Sequence, residues 1–271
     1  MASSAPPVVI IAVGDELLSG HTQDTNSNFL ARRLFEAGNP VRRIEVVADA
    51  DQDIALALRR ALAEPGVRAV VLSGGIGPTP DDRTFAAVAG ALDLPLQVHP
   101  GAMAQIQQRV RRLFEEGWLP SPEVSEANRR AALLPAGAQV IANRRGMSPA
   151  IVVHQGEQHV FVLPGIPREL TTIVEEELLP HFFSGGDAQV VRELRYTTVP
   201  EAEMYEPMRA MEREFPDVVV GSYPQTSRRE LVIRLRGAAA ERVDAAALRF
   251  LELRPGSAMP EQSGDGSPAP P

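Results

Sequence analysis

The order of apolar segments along the first 90 residues constrains the fold of this chain more than any other feature. Continuous apolar runs at Val8–Val13 and Val67–Leu72 are typical of strands buried on both faces. A third strand is predicted at Val41–Val47, and apolar residues at helical spacing follow at 26–38 and 51–63. This β-α-β-α-β order predicts parallel strands joined by right-handed crossovers, with helices on both faces of the sheet.

The remainder of the sequence predicts that this α/β domain continues and that a smaller domain follows. Further helices are expected at 82–91, 102–116, 125–133 and 168–179, and further strands at 139–142, 150–153 and 159–163. After a Gly/Ser linker, the pattern predicts elements at 190–198, 201–214, 218–222, 230–236 and 239–251, in the order strand, helix, strand, strand, helix. We therefore expect a flexible N-terminus over 1–7, a three-layer α/β domain with a parallel sheet over 8–183, an α+β domain over 184–254, and a disordered tail over 255–271.

Composition excludes several kinds of chemistry. The chain has no cysteine, which rules out disulfides, thiolate metal ligands and a cysteine nucleophile. All 27 basic residues are arginines, so neither a P-loop lysine nor a lysine Schiff base is available. The net charge of −8 argues against a nucleic-acid partner. We read no membrane span and no signal peptide, and we expect a soluble cytoplasmic protein.

Two loops are predicted to meet at the carboxyl edge of the sheet, where ligands bind in folds of this type. Gly14-Asp15-Glu16 leaves the first strand, and the loop Ser73–Asp82 leaves the third. In the second loop, glycines allow peptide N–H groups to approach a ligand closely, and such groups before a helix favour an anion. The sequence therefore predicts a phosphate-binding crevice at this edge.

The carboxylates of this edge allow two interpretations. Asp81 and Asp82 could cap the following helix, or they could hold a divalent cation that offsets their repulsion of phosphate. Asp15, Glu16 and Asp49 should reach the same crevice, and several converging carboxylates favour a cation or a donor-rich ligand. Metal binding is therefore the preferred interpretation.

Several ordered motifs resemble those of the CinA-like, competence/damage-inducible family, whose N-terminal domain is similar to the molybdopterin-binding superfamily of MogA, MoaB and MoeA. The resemblance covers roughly residues 8–250. It rests on GDELLSG (14–20), DTN (24–26), GGIGPTPDD (74–82), SEANR (125–129), ALLP (132–135), LPGIPRE (163–169), GSYP (221–224) and LVIRLR (231–236).

The resemblance implies a molybdopterin-binding-like fold and a small-molecule ligand, either a pterin or a nucleotide diphosphate. It also implies a metal-dependent pyrophosphatase acting on ADP-ribose or FAD-like compounds, with Mg²⁺, Mn²⁺ or Co²⁺ and an optional K⁺. A non-catalytic molybdopterin- or nucleotide-binding module and an enzyme of molybdenum cofactor biosynthesis are the alternatives. Family members commonly oligomerise, so a homodimer or higher homo-oligomer is expected.

The resemblance and the loop chemistry together assign roles to individual residues. Asp82 and Asp49 are the predicted catalytic residues, and Asp15, Asp49 and Asp82 are the predicted metal ligands. The predicted ligand- and phosphate-binding residues are Gly14, Asp15, Glu16, Asn26, Ser73, Gly74, Gly75, Gly77, Thr79, Asp81, Thr84, Asn143, Pro164 and Gly165. For Asn26, an N-cap is the alternative role. Arg168 is another candidate for ligand binding, although an ordinary surface charge is its preferred interpretation. Arg144 is a further candidate for the same pocket, since guanidinium suits phosphate.

Two departures from the family bear on function. CinA proteins often carry a C-terminal nicotinamide-nucleotide amidase domain, and this chain is too short to hold one, so amidase activity is not expected. The segment usually reading Asn-x-x-Gly-x-Ala-Pro-Gly is NRRGMSPA at 143–150, in which Ala150 replaces a glycine. One wall of the pocket, and with it the substrate preference, should differ accordingly.

Overall fold

The structure is a computed structural model that describes residues 6–186, 189–197 and 199–254. It divides into two compact units, of which the first ends at Gly186. The predicted tail over 255–271 lies outside the described residues, as does most of the predicted flexible N-terminus.

The first half of the first unit has the predicted alternation of strands and helices. Its elements are β1 (Val8–Val13), α1 (Asp15–Leu18), α2 (Thr25–Glu36), β2 (Val41–Val47), α3 (Asp51–Ala63), β3 (Ala69–Ser73) and α4 (Thr84–Ala91). The side chain of Asp24 caps α2 by accepting a hydrogen bond from Ser27 N at 2.9 Å, so the alternative that Asn26 is the cap is wrong.

The second half contains more strands than the sequence predicts. Its elements are β4 (Leu96–Val98), α5 (Pro100–Glu115), α6 (Glu126–Arg130), β5 (Leu133–Pro135), β6 (Gln139–Ile141), β7 (Ala150–Gln155), β8 (Gln158–Leu163), α7 (Pro167–Ile173), a π-helical turn (Val174–Leu178) and α8 (Leu179–Phe182). The short strands β4 and β5 pair with each other outside the main sheet and were not predicted, because three residues give too little alternation to detect.

The central sheet of the first unit has six strands in the order β2-β1-β3-β8-β7-β6. Strands β2, β1, β3 and β8 are parallel, as predicted, whereas β7 runs antiparallel to both β8 and β6. The reversal follows from a two-residue turn between β7 and β8, where Gly156 has a φ of 60°.

The apolar strands are buried because helices cover both faces of the sheet. Along β1, Val9 and Ile11 pack into a cluster with residues of α3, α4 and α5. The alternate residues Val8 and Ile10 pack into a second cluster with residues of α2 and α7. This is the three-layer α/β arrangement that the continuous apolar runs predict.

The second unit is a small α+β fold of its own. It contains β9 (Val190–Thr197), a 3₁₀ turn (Glu201–Met204), α9 (Tyr205–Glu214), β10 (Val219–Gln225), β11 (Glu230–Gly237) and α10 (Ala240–Leu253). The three strands form an antiparallel sheet in the order β10-β11-β9. Its core holds Tyr196, Met211 and Phe250, all almost completely buried.

Across both units, none of the helices that the structure describes combines the length and the apolar composition needed to cross a bilayer.

Candidate functional site

A cleft of about 570 Å³ lies at the carboxyl ends of the parallel strands of the first unit. Val13 and Ser73 end β1 and β3 and line it, and Pro164 lines it directly after β8. Asp49 reaches the cleft from the residues that follow β2. The predicted crevice is therefore at the predicted edge of the sheet.

The glycine-rich loop after β3 depends on glycine at two successive positions. Gly74 has a φ of 105°, and a Cβ there would overlap the carbonyl oxygen of Val13. Gly75 has a φ of 63°, and a Cβ there would come 2.5 Å from the hydroxyl oxygen of Thr84. Both conformations belong to the left-handed region, which side chains rarely adopt. The loop can therefore approach neighbouring backbone and a ligand more closely than other residues would allow.

Thr84, which begins α4 and is completely buried, fixes the orientation of this loop. Its hydroxyl donates to the carbonyl oxygen of Gly74 at 2.8 Å, and its peptide N–H donates to that of Gly75 at 3.0 Å. In a planar trans peptide the N–H points opposite to the carbonyl oxygen. The N–H groups of Gly75 and Ile76 consequently point away from Thr84, and neither has an acceptor among the described residues.

Asp82 supports the far end of the loop and does not cap α4. Its Oδ2 accepts hydrogen bonds from Thr79 N at 2.7 Å and Thr79 Oγ1 at 2.5 Å. The N-cap of α4 is Arg83, which makes no side-chain cap bond, so the capping alternative for Asp81 and Asp82 is wrong. Asp81 is exposed and also lines the cleft.

The acidic side chains of the first loop gather around Asp49. The peptide N–H of Asp15 donates to Asp49 Oδ2 at 2.9 Å. Partial burial of Asp49 raises the pKa of its carboxyl, and the charges of Asp15, Glu16 and Asp81 raise it further against the lowering effect of that N–H. Glu16 lies over Gly14, where a Cβ would come 2.7 Å from its carboxylate oxygens.

Asn26 joins the two sides of the cleft. Its Nδ2 donates to the carbonyl oxygen of Gly165 at 2.7 Å. Its Oδ1 is buried and has no hydrogen-bond partner in the part of the chain that the structure describes. Since Asn26 lines the cleft, its bond to Gly165 holds the turn after β8 at this wall.

Asn143 shapes a third wall without lining the cleft itself. Its Oδ1 accepts from Arg145 N at 3.2 Å and Gly146 N at 2.8 Å, and its Nδ2 donates to Ser148 O and Glu169 Oε2, both at 2.8 Å. The segment so folded presents Met147 and Ser148 to the cleft. The predicted direct ligand contact by Asn143 is therefore replaced by a supporting position.

Most of the predicted residues come together at the cleft. The lining includes Glu16, Asn26, Asp49, Ser73, Gly74, Gly75, Gly77, Asp81, Asp82, Pro164 and Gly165. Gly14, Asp15, Thr79 and Thr84 are neighbours that hydrogen-bond to or pack against those residues. Asn143 hydrogen-bonds to Ser148 and Glu169, which also line the cleft. Arg144 and Arg168 line an adjacent cavity instead.

Sequence reasoning missed other lining residues, among them Leu17, Asp24, Met147, Ser148 and Glu169. Glu169 had a usable signal, because it follows the strand-to-helix turn LPGIP whose Pro164 and Gly165 were predicted. Met147 and Ser148 lie in the segment 143–150, which the family resemblance assigned to one wall of the pocket without naming either as a contact residue.

The three predicted metal ligands do not form a closed metal site. Among the described residues, no group of three carboxylate or imidazole side chains is arranged to hold an ion. Asp82 Oδ2 is occupied by Thr79, and Asp15 approaches Asp49 through its peptide N–H. A cation such as Mg²⁺, which proteins often bind with phosphate oxygens and water as the other ligands, would need only one or two of these carboxylates.

The electrostatic character of the cleft is strongly acidic. Six carboxylates line it, and none of its described lining residues is basic; the acids are Glu16, Asp24, Asp49, Asp81, Asp82 and Glu169. Unpaired carboxylates in a partly enclosed site are costly, so a matching ligand should bring cations or several hydrogen-bond donors.

The fold and this cleft are those of a small-molecule-binding α/β domain, and comparison with known proteins gives its class. The family described as "Probable molybdopterin binding domain" matches residues 9–183, and the family described as "FAD synthase, middle domain" matches residues 189–262. The chain therefore belongs to the molybdopterin-binding domain family, and CinA-like proteins are among its relatives.

A CinA-like protein of Myxococcus xanthus is 33% identical over 245 residues, which cover 88% of this chain and 56% of the relative. One from Anaeromyxobacter is 37% identical over 203 residues, 74% of this chain and 47% of the relative. The chain thus matches about half the length of these CinA-like relatives. The crystal structure of the protein CinA from Thermoplasma acidophilum, described as of unknown function, superposes with a TM-score of 0.58 at 30% identity, over 67% of this chain and 99% of that one.

Proposed function

We propose that this chain binds a pterin- or nucleotide-type diphosphate together with a divalent cation, and that it hydrolyses the diphosphate to two monophosphates. The observation that carries the proposal is the pairing of unpartnered N–H groups on the glycine-rich loop with the carboxylates around Asp49. The N–H groups of Gly75 and Ile76 suit phosphate oxygens, and the carboxylates suit the cation that accompanies them.

Different residues of the cleft have different roles in the proposed hydrolysis. Gly75 N and Ile76 N bind oxygens of one phosphate and stabilise the charge that grows on them. Asp49 takes a proton from the attacking water at a carboxylate oxygen. The water oxygen bonds to phosphorus, the bond from phosphorus to the bridging oxygen breaks, and the proton passes to solvent.

A divalent cation, when bound, would neutralise phosphate charge and polarise a phosphoryl oxygen. Asp49 and Glu16 would hold it beside the loop, since both line the cleft and the charge of Glu16 acts on Asp49. Asp82 keeps one carboxylate oxygen free of Thr79 and can turn it towards the same ligand.

A second candidate function is a binding module that does not turn its ligand over. It is favoured by the excess of carboxylates over any cationic side chain in the cleft. A pterin ring carries an amino group beside a ring N–H, and a carboxylate accepts hydrogen bonds from both at once. The absence of product with retained binding would distinguish this module from the hydrolase. An enzyme of molybdenum cofactor biosynthesis would share the same pocket.

The test is product formation from ADP-ribose and from FAD, with Mg²⁺, Mn²⁺ or Co²⁺ and with a chelator in place of the metal. Metal-dependent release of AMP is expected from the wild-type chain. Asp49→Asn and Asp82→Ala should reduce the rate by about 10²-fold or more, because each removes a group next to the reacting phosphate.

Asp53→Asn is the matched control, because Asp53 is an exposed acid in the first turn of α3 outside the cleft. It should hydrolyse at the wild-type rate. A folded wild-type protein that releases no product, yet binds FAD or a pterin, would overturn the hydrolase and leave the binding module.

Homo-oligomeric assembly and a cytoplasmic location stay predictions of the sequence. Analytical ultracentrifugation at micromolar concentration tests the first, with a dimer or larger species as the expected result. Fractionation of cells producing the protein tests the second.

A further inference from the structure

A second cavity, of about 460 Å³, adjoins the acidic cleft and has the opposite charge. Arg109, Arg144, Arg145 and Arg168 line it, with Glu169 and Glu176 as its only acids among the described lining residues. The cavity lies between α5, the loop around Arg144 and the start of α7. Ile166 and Glu169 line both cavities, so the two spaces meet at a wall formed by these residues.

The charges of this cavity are only partly satisfied within the chain. Arg144 approaches Glu176 and Glu177, at 3.5 and 3.6 Å. The guanidinium of Arg168, by contrast, has no hydrogen-bond or ion-pair partner within the described ranges of the chain. Clustered arginines repel one another, and an anion placed between them removes that repulsion.

Two of the arginines are held in place by neutral groups, which leaves their charge available. Arg109 donates one N–H to the carbonyl oxygen of Arg145 at 3.3 Å. Arg145 donates its Nε–H to Thr172 Oγ1 at 3.2 Å. A guanidinium has five N–H donors, so each retains donors for a second partner in a fixed orientation.

We propose that this cavity, called here the arginine cavity, binds a second phosphate group carried on one arm of the diphosphate ligand. The inference rests on the proposed function, because it takes the diphosphate to lie in the acidic cleft. Past Ile166 the ligand meets guanidinium groups, which bind a phosphate dianion through paired N–H···O bonds without a cation. The preferred ligand class is therefore a dinucleotide-like diphosphate that bears an additional phosphomonoester.

The experiment compares three ligands by isothermal titration calorimetry at fixed Ca²⁺, used in place of the cations expected to support turnover: ADP-ribose, its 2′-phosphate and its 1″-phosphate. The two phosphorylated forms place the extra group on opposite arms of the diphosphate. One of them should bind about tenfold more tightly than ADP-ribose at low ionic strength, and the preference should shrink as salt is added.

A double variant, Arg145→Gln with Arg168→Gln, should abolish this preference and leave the affinity for ADP-ribose unchanged. The matched control is Arg111→Gln with Arg130→Gln, which removes the same charge from exposed positions outside both cavities and should keep the preference. Equal affinities for all three ligands in the wild type would overturn the arginine cavity as a phosphate site while leaving the proposed function intact. No binding of any of the three ligands would overturn both.

Discussion

Replacement of Asn143 by alanine tests how the third wall of the cleft is held. The side chain makes four hydrogen bonds, and those to Gly146 N and Ser148 O are buried. A net hydrogen bond contributes about 0.5–1.5 kcal/mol, and a buried group left unpaired costs about 1–3 kcal/mol. Because the two part-buried partners, Arg145 N and Glu169, lie nearer to solvent and can be hydrated, we expect the free energy of unfolding to fall by about 3–4 kcal/mol.

The assay is urea unfolding of the whole chain followed by circular dichroism, together with ligand titration under native conditions. The loss should be confined to the transition of the first unit. Ligand affinity should also fall, since Met147 and Ser148 would no longer be fixed at the cleft. Asn28→Ala removes an exposed amide from α2 and should change the unfolding free energy by no more than about 0.5 kcal/mol.

Glu169→Gln separates the contributions, because the glutamine oxygen can still accept from Asn143 Nδ2. We expect this substitution to lower the free energy of unfolding by less than about 1 kcal/mol. The reasoning is refuted if Asn143→Ala unfolds within about 1 kcal/mol of the wild type, because the loop would then hold its conformation without these bonds.

Three further substitutions give independent tests. Asp49→Asn should raise the thermal midpoint at pH 7, because burial and neighbouring carboxylates raise the pKa of Asp49 and disfavour its charged form. The same variant should lose turnover. An unchanged or lower midpoint would contradict the stability prediction. Gly74→Ala should destabilise the chain by at least about 2 kcal/mol and prevent ligand binding, because its Cβ would overlap the Val13 carbonyl; wild-type affinity would disprove the close approach. Burial, and after it the charge of His154, lower the pKa of His159 below 6.5, so the stability contributed by neutral His159 is present above pH 6.5 and is lost as the pH falls through the folded-state pKa. His159→Gln should therefore flatten the decline in thermal midpoint between pH 7 and 5. A decline parallel to that of the wild type would count against this reasoning.

The sequence predicted the parts of the fold that depend on local pattern. The apolar run Val8–Val13 had to be covered on both faces, and the structure buries all six of its residues. The helix over 51–63 was bounded correctly because its apolar stripe ends at Pro65-Gly66. Strand direction after residue 150 was not readable, since a reversal at a two-residue turn leaves the apolar pattern of β7 and β8 unchanged.

The candidate site also has parts that could be predicted from the sequence and parts that could not. Asp49 and the loop around Gly74 were predicted, because residues that follow parallel strands meet at one edge of the sheet. The roles of Thr84 and Asn143 as supports were not, because hydrogen bonds between side chains and distant backbone follow no short spacing. The separation of an acidic cleft from the arginine cavity was also hidden, since the arginines concerned come from three separate segments of the chain.

The bond between Asn26 and Gly165 has a consequence for how the protein acquires its binding capacity. It joins residues 139 positions apart, and β3 pairs directly with β8 across most of that interval. Contacts of such long range form late in folding, because the intervening chain must first be ordered. A nascent or truncated chain that stops before β8 would lack the wall of the cleft that contains Pro164 and Gly165. The ability to bind the ligand should therefore arise in a single late step rather than increase gradually with chain length.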